Sequence, residues 1–245
     1  MGLLLLLCVG PWVEGGKVLV TPVEGSHWLS MKKVVQDLHA RGHQAVVLAP
    51  EVNMHIKEED FFTLKTYAFP YTQDELQSFF VHLSHLVLEP EHFLMHFFKI
   101  MTIMKNTSVI HQRSCRELVH NKTVIQYLNE SSFDVVLTDP VIPCGTVLAE
   151  YLSVPAVYFL RYIPCELDFE GTQCPSPSSY IPRLLTRNSD HMTFLERVKN
   201  MLYPLALKYI CHISFAPYAS LASELLQREV SVTDIFRWRI AKDAE

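Results

Sequence analysis

The stretch KVLVTPVEGSHWLSMKKVVQDLHARGHQAVVLAP, residues 17–50, decides the fold of this chain. Its first apolar run, VLVTPV, is rich in β-branched residues and is typical of a strand buried on both faces. An amphipathic helix follows from about His27, with Ser26 as its expected N-cap and Gly42 as the left-handed residue at its end. A second apolar run, Val46–Leu48, completes a strand–helix–strand unit, which predicts a parallel sheet.

A second unit of the same kind lies between residues 133 and 160. The segment FDVVLTDP contains a buried strand that ends at Asp139, and a helix is expected over residues 143–152. Another buried strand is expected over residues 155–160, and residues 62–69 could form a further strand. The predicted fold class is therefore α/β, a Rossmann-like parallel sheet with helices on both faces.

His27 and Asp139 follow the first strands of these two units. Ligands of open parallel sheets bind at the carboxyl ends of the strands, so both side chains are candidates for a site there. A neutral histidine accepts a proton near neutral pH, and a carboxylate behind it fixes the tautomer. The alternative is an Asp139 that caps the next helix and a His27 exposed to water. The sequence lacks a GxSxG elbow, which disfavours acyl chemistry.

Two further regions are predicted to be helical. Residues 73–130 are mostly helical and rich in Phe and Met, with Pro90 between two helices, and residues 193–210 and 218–227 form two more. The Phe- and Met-rich helix of residues 91–104 has three possible roles: ordinary core, the wall of a lipophilic acceptor pocket, or a face in contact with a membrane. The predicted pocket residues are Phe93, Phe97 and Met101.

Composition limits the function classes. A net charge of −5 and the lack of any basic run argue against nucleic-acid binding. His92 and His96 have the i, i+4 spacing of a helical metal pair, but no HExxH pattern surrounds them, so we expect no metal. The apolar run LLLLLCV near the start predicts a signal peptide over residues 1–15; the alternative is a truncated start in front of a buried strand.

Sequons and cysteines bear on the compartment. Three sequons, at Asn106, Asn121 and Asn129, agree with entry into a lumen where glycosylation occurs. Five cysteines remain after the signal segment, and Cys165 and Cys174 flank a short loop, which makes them the favoured disulfide in an oxidising lumen. Buried free thiols are the alternative.

Several of these segments together resemble the UDP-glucuronosyltransferases, family 1, the group that conjugates phenols and bilirubin. The segments are EGSHWLSM, DLHARGHQAVVLAPE, FDVVLTDP, VPAVYFLR, CELDFEGTQCPSPSSYIPRLL and SDHMTFLERVKNMLYPLALKY. The resemblance implies the amino-terminal domain of a GT-B glycosyltransferase, which binds the lipophilic acceptor while a carboxy-terminal domain binds UDP-glucuronic acid. It implies that His27 is the base for a phenol, alcohol or amine, that Asp139 is its partner, and that transfer inverts the anomeric centre.

The resemblance ends at Val232. It implies an acceptor-binding domain over residues 16–232 and a divergent tail over residues 233–245, with the donor domain and the transmembrane helix absent. It also implies the luminal side of the endoplasmic reticulum, xenobiotic metabolism, and homo- or hetero-oligomers with other glucuronosyltransferases. Two functions are therefore expected: the acceptor half of a transferase, or a catalytically inactive luminal form that binds acceptors or pairs with and inhibits full-length transferases.

Overall fold

A computed structural model describes residues 15–88, 93–160, 175–183 and 186–237. Its centre is a five-stranded sheet in the order β3-β2-β1-β4-β5, and every neighbouring pair of strands is parallel. The predicted fold class is confirmed. The strands are β1 (Lys17–Thr21), β2 (Gln44–Pro50), β3 (Thr63–Tyr67), β4 (Val135–Thr138) and β5 (Ala156–Tyr158).

Seven helices surround this sheet in the described part of the chain. They are α1 (Ser26–Ala40), α2 (Gln73–Leu88), α3 (Phe93–His120), α4 (Lys122–Glu130), α5 (Cys144–Tyr151), α6 (Phe194–Leu226) and α7 (Val232–Arg237). None of these described helices has both the length and the apolar run needed to cross a bilayer.

Helix α6 corrects the prediction of two separate helices. It continues through Pro204 and Pro217, although proline removes a backbone donor and usually ends or kinks a helix. Its inner face packs along α3, because Phe97 meets Tyr203 and the Ser108 hydroxyl donates to the carbonyl of Ser214. This tertiary packing outweighs the local cost of the prolines. The contacts also show that α3 and α6 run parallel.

The start of α1 differs from the expectation in one detail. Gly25, not Ser26, is the N-cap residue, and the described residues provide no side-chain cap there. Gly25 has a φ of 75°, a left-handed value that a residue without a Cβ adopts at little cost. The predicted left-handed Gly42 at the other end of α1 is confirmed, with a φ of 89°.

Hydrophobic clusters cover both faces of the sheet. Side chains alternate along β1, so Leu19 points into one cluster while Val18 and Val20 point into the other. The first cluster contains residues of α3, α5 and α6, and the second contains Trp28 and neighbouring residues of α1. Because β1 and β4 are buried on both sides, the carboxyl ends of these two strands are held rigidly in place.

Candidate active site

His27 and Asp139 meet between β1 and β4, the point from which successive strands are added on opposite sides of the sheet. Strand β1 lies between β2 and β4, and Thr21 and Thr138 are register partners at the carboxyl ends of β1 and β4. Asp139 follows β4 directly, and His27 lies in the first turn of α1, which follows β1. The His27 Nδ1 atom is 2.5 Å from the Asp139 Oδ2 atom. This edge is the usual ligand site of an open parallel sheet.

The surroundings of the pair are asymmetric. The side chain of Asp139 is 0% exposed, whereas that of His27 is 23% exposed. An ionised carboxylate only accepts hydrogen bonds, so the contact assigns the proton of a neutral imidazole to Nδ1. The Nε2 atom then keeps its lone pair and can accept a proton from a ligand.

The second oxygen of Asp139 holds the loop that leads to α5. Its Oδ1 atom accepts a hydrogen bond of 3.0 Å from the Val141 backbone N–H. The N-cap of α5 is Pro143, which makes no side-chain cap bond in the described structure. Asp139 therefore orders the turn before α5 and binds His27, and it does not cap the helix as the alternative interpretation expected.

A small cavity of about 60 Å³ lies near the loop that leads to His27, although neither His27 nor Asp139 forms part of its wall. The loop from β1 to α1 contributes Val23 and Glu24 to its wall, and Ile142 follows Asp139 closely in the chain. The remaining wall is mainly apolar and comes from the sheet and from α2, α3 and α5; it includes Leu76, Phe80 and Leu118. The cavity thus combines apolar walls with a position next to the His27 loop.

Three polar residues of the cavity wall were missed in the sequence analysis: His111, Ser114 and Tyr67. Burial lowers the pKa of His111 to about 4, against the opposing influence of the Glu24 carboxylate, so its imidazole is neutral at physiological pH. Burial also raises the pKa of Tyr67 to about 12, although the hydrogen bond with Ser114 opposes the change. The periodic spacing of His111, Ser114 and Leu118 along α3 was the available signal.

Of the predicted acceptor residues, Phe97 and Met101 do not line this cavity. Phe97 is half-buried and packs edge-on against Tyr203, with ring centroids 5.8 Å apart, and Met101 is also half-buried. The side chain of Phe93 lies outside the described structure. A shallower groove of about 450 Å³ lies between α2 and α3, where other residues of α3, namely Met95, Phe98 and Ile103, form part of its wall. A role of Phe93, Phe97 and Met101 in acceptor binding stays a prediction.

The described cysteines form a pair that was not predicted from the sequence. Cys115 on α3 and Cys144 at the start of α5 form a disulfide, and both line the cavity. Cys211 is also disulfide-bonded, with its partner outside the described residues. The alternative of buried free thiols is wrong for these three cysteines. The predicted pair of Cys165 and Cys174 lies outside the described residues and stays a prediction.

The three sequons lie on α3 and α4 or at their junction. Asn106 and Asn129 are exposed, and the Asn129 Nδ2 atom donates to the Tyr151 hydroxyl over 3.1 Å. Asn121 is the N-cap of α4, where its Oδ1 atom accepts from the Val124 backbone N–H. Their glycosylation stays a prediction. Among the described residues, which exclude His92, no cluster of three metal-ligating side chains occurs.

Comparison with known proteins gives a consistent result over nearly the whole chain. The family model described as UDP-glucoronosyl and UDP-glucosyl transferase matches residues 16–239. The chain belongs to this family. It is 68% identical to human UDP-glucuronosyltransferase 1A3 and 66% identical to rat UDP-glucuronosyltransferase 1-2, in both cases over 96% of the chain and 44% of the relative.

The chain spans less than half of the length of these relatives. Among solved structures, the glycotransferase of kitacinnamycin is similar with a TM-score of 0.45 and 12% identity, over 91% of this chain and 43% of that one. That likeness is too distant to carry an argument about the site.

Proposed function

We propose that the chain is the acceptor-binding half of a UDP-glucuronosyltransferase, with His27 as the catalytic base and Asp139 as its orienting partner. The contact of His27 Nδ1 with the buried Asp139 carboxylate is the observation that carries this proposal. It leaves Nε2 free to take a proton at the edge of the sheet where ligands bind. Membership of the family supports the reaction class.

The proposed reaction is a single displacement. His27 Nε2 takes the proton of the acceptor hydroxyl or amine, and the acceptor oxygen or nitrogen attacks the anomeric carbon of glucuronic acid. The bond from that carbon to the β-phosphate oxygen breaks, UDP leaves with the bonding electrons, and the α-linked sugar becomes a β-glucuronide. UDP-glucuronic acid is the co-substrate, and the chain's own residues supply the base, its orientation and the acceptor site.

The cavity wall supports lipophilic acceptors such as phenols, alcohols and amines. Its walls are mainly apolar, and the two titratable side chains on its α3 and β3 walls, His111 and Tyr67, are neutral at physiological pH. The wall also contains the Glu24 carboxylate. An apolar wall with a few polar groups is the usual composition of a site for small lipophilic molecules.

The direct test is an assay of the purified chain with UDP-glucuronic acid and a simple phenol. Turnover by the chain that His27→Ala abolishes supports the transferase. His39→Ala is the matched control, because His39 is an exposed histidine near the other end of α1 and lies outside the proposed machinery for proton transfer. Turnover that survives His27→Ala contradicts the role of His27 as base.

The alternative is an inactive form that binds acceptors or pairs with full-length transferases and inhibits them. The same preparation tests it. Saturable quenching of tryptophan fluorescence by phenols without turnover supports the binder, and a loss of activity when the chain is added to a full-length relative supports the inhibitor. Absence of turnover, of phenol binding and of inhibition contradicts both functions.

A luminal location and oligomerisation are further parts of the proposal. The Cys115–Cys144 disulfide supports an oxidising compartment such as the lumen of the endoplasmic reticulum, since disulfides rarely persist in the cytosol. Exposed Asn106 and Asn129 support a glycoprotein. Co-purification of a tagged and an untagged copy tests the oligomer.

Contact with a membrane surface is a second candidate function, and the outer face of α6 favours it. Large apolar side chains are exposed along about 30 Å of this helix, with exposed fractions from 41% to 78%. They recur at helical spacing: Phe194, Leu195, Met201, Leu202, Leu205, Tyr209 and Ile213. The inner face of α6 is buried in the core, so the helix is apolar on both sides and its outer side is open.

The charges of this segment favour an anionic lipid surface over a second copy of the chain. Between residues 194 and 213 the sequence has Arg197, Lys199 and Lys208 but a single acid, Glu196, whereas the whole chain has a net charge of −5. Two copies of a basic face repel each other, while anionic headgroups attract it.

Flotation of the chain with phosphatidylserine vesicles tests this second candidate. We expect binding that weakens with salt and is lost in Leu205→Asp, while Ser220→Asp on a polar exposed position of α6 leaves it unchanged. Equal flotation of both variants, or concentration-dependent dimerisation without flotation, contradicts the membrane candidate.

A further inference from the structure

Glu24 binds the N-cap residue at the start of α1. The N-cap is Gly25, and no described side chain caps the helix. Instead the Glu24 Oε1 atom accepts a hydrogen bond of 2.9 Å from the Gly25 backbone N–H. This bond fixes the peptide two residues before His27, at the point where the chain turns from β1 into α1.

The same carboxylate reaches across to the connection between β2 and β3. Its Oε2 atom accepts from the Met54 backbone N–H at 3.0 Å, and its Oε1 atom accepts from the His55 backbone N–H at 3.1 Å. The Nδ1 atom of His55 lies 2.8 Å from the same oxygen. The Glu24 side chain is only 9% exposed, and hydrogen bonds to such a shielded carboxylate are stronger than bonds between neutral groups.

The segment that Glu24 binds is itself rigid. The side chain of Asn53 accepts from the Ile56 backbone N–H at 3.0 Å and donates to the Pro50 carbonyl at 2.9 Å. Ile56 is 1% exposed and belongs to the same hydrophobic cluster as Trp28, the residue after His27. The backbone of His27 is therefore tied to one rigid segment from both directions along the chain.

We propose that Glu24 is a positioning residue for His27, because it fixes the backbone from which the imidazole reaches Asp139. Asp139 sets which nitrogen of the ring carries the proton, and Glu24 sets where the ring stands. The importance of this arrangement for turnover rests on the proposed function. The arrangement itself does not, because the state of the His27 ring can be measured without any turnover.

The chain offers a matched control for a purely structural tie. Glu59 binds Lys32 and so also joins α1 to the connection between β2 and β3, but at a partly exposed position away from His27. Glu59→Gln removes a carboxylate tie between the same two segments, as Glu24→Gln does. A difference between the two variants at His27 therefore reports positioning, and not the general loss of a link.

The experiment is ¹⁵N NMR of the histidine ring nitrogens in the full chain, with phenol binding measured on the same samples. In the unsubstituted chain we expect the His27 signals of a single Nδ1–H tautomer. In Glu24→Gln we expect a mixture of tautomers, whereas Glu59→Gln keeps the single tautomer. Phenol binding also responds to the change in the cavity wall that Glu24 lines, and we expect it to weaken about ten-fold in Glu24→Gln and less than about two-fold in Glu59→Gln. Asp139→Asn is the positive control for loss of the tautomer.

A Glu24→Gln chain that keeps the single tautomer overturns the proposal, and so does a Glu59→Gln chain that loses it to the same extent. If Glu24→Gln does not fold, Glu24→Asp decides with the same spectra. That variant keeps the charge but shortens the reach, so an unchanged tautomer in it also overturns the proposal. If the unsubstituted chain binds no phenol, the acceptor proposal fails while the tautomer comparison still decides the role of Glu24.

Discussion

The carboxyl edge of the sheet and the outer faces of helices α3 and α6 differ in the hydrogen bonding and exposure of their side chains. At the edge, the carboxylates of Asp139 and Glu24 are shielded from water, and each accepts at least two hydrogen bonds. On the outer faces of these helices, the side chains of Phe98 on α3 and Leu205 on α6 are 62% and 67% exposed. The edge therefore has the rigidity that proton transfer needs, and the outer helix faces have the apolar surface that lipophilic molecules bind.

Removing the Asp139 carboxylate should have the largest effect on the edge. Asp139→Ala leaves the His27 Nδ1–H and the Val141 N–H without their acceptor at a site that is 0% exposed. We expect the free energy of unfolding to fall by about 3–5 kcal/mol, because two N–H donors lose their acceptor and each unsatisfied buried donor costs about 1–3 kcal/mol. Urea unfolding at neutral pH measures this. Asp139→Asn keeps the volume and one oxygen, so it should lose about 1–2 kcal/mol; equal losses would contradict the pairing.

The disulfide behind the cavity should come next. Cys115 and Cys144 are separated by 29 residues in sequence, and closing a loop of that size stabilises a protein by about 3–4 kcal/mol in the chain-entropy description. We expect the double variant Cys115→Ala, Cys144→Ala to lose about that much in urea unfolding. Peptide mapping without reductant checks the pairing directly, and recovery of either cysteine as a free thiol would refute it. The same map identifies the partner of Cys211.

The acid stability of the chain should depend on His111 in the cavity wall. Burial holds its folded-state pKa near 4, below the usual value of 6.5, so the unfolded chain binds more protons between these two pH values. The free energy of unfolding should therefore fall as the pH drops from 6.5 towards 4. We expect His111→Gln to remove roughly 2 kcal/mol of that fall between pH 7 and pH 4.5.

His120, further along α3, is the control for this pH dependence. Hydrogen bonds with the Arg116 carbonyl and with Glu224 raise the pKa of His120, so its effect on the free energy of unfolding has the opposite pH dependence. The stabilisation from His120 is present below pH 6.5 and is lost as the pH rises through the raised pKa. Because it is half-exposed, His120→Gln should have a small effect. Acid-side curves that coincide for the unsubstituted chain and His111→Gln would show that the cavity does not bury His111.

The two neighbouring phenylalanines of α3 should show the smallest effects and separate core from surface. Phe97 packs against Tyr203, and Phe98 is 62% exposed. We expect Phe97→Ala to cost about 2 kcal/mol in urea unfolding and Phe98→Ala less than about 0.5 kcal/mol. Phenol binding measured on both variants tests whether Phe97 also contacts the acceptor. An effect on binding without an effect on stability would support its predicted role as a pocket residue.

Most of the sheet could be predicted because its signals are local. Buried parallel strands are continuous apolar runs, and the turn glycine Gly42 marks a helix end through its left-handed backbone. The long helix α6 could not be predicted in the same way. The predicted break lies between residues 210 and 218, where Pro217 disfavours a continuous helix by local rules, and packing against α3 outweighs that preference.

The sequence by itself determined the fold class, the family resemblance and the two candidate residues His27 and Asp139, because strand and helix periodicities and short motifs are written along the chain. Only the tertiary structure decided that these residues touch, that Glu24 ties the loop before His27 to the β2–β3 connection, and that Cys115 pairs with Cys144. Each of these contacts joins residues far apart in sequence. Their approach depends on the order of the strands and the packing of the helices, which no local pattern specifies.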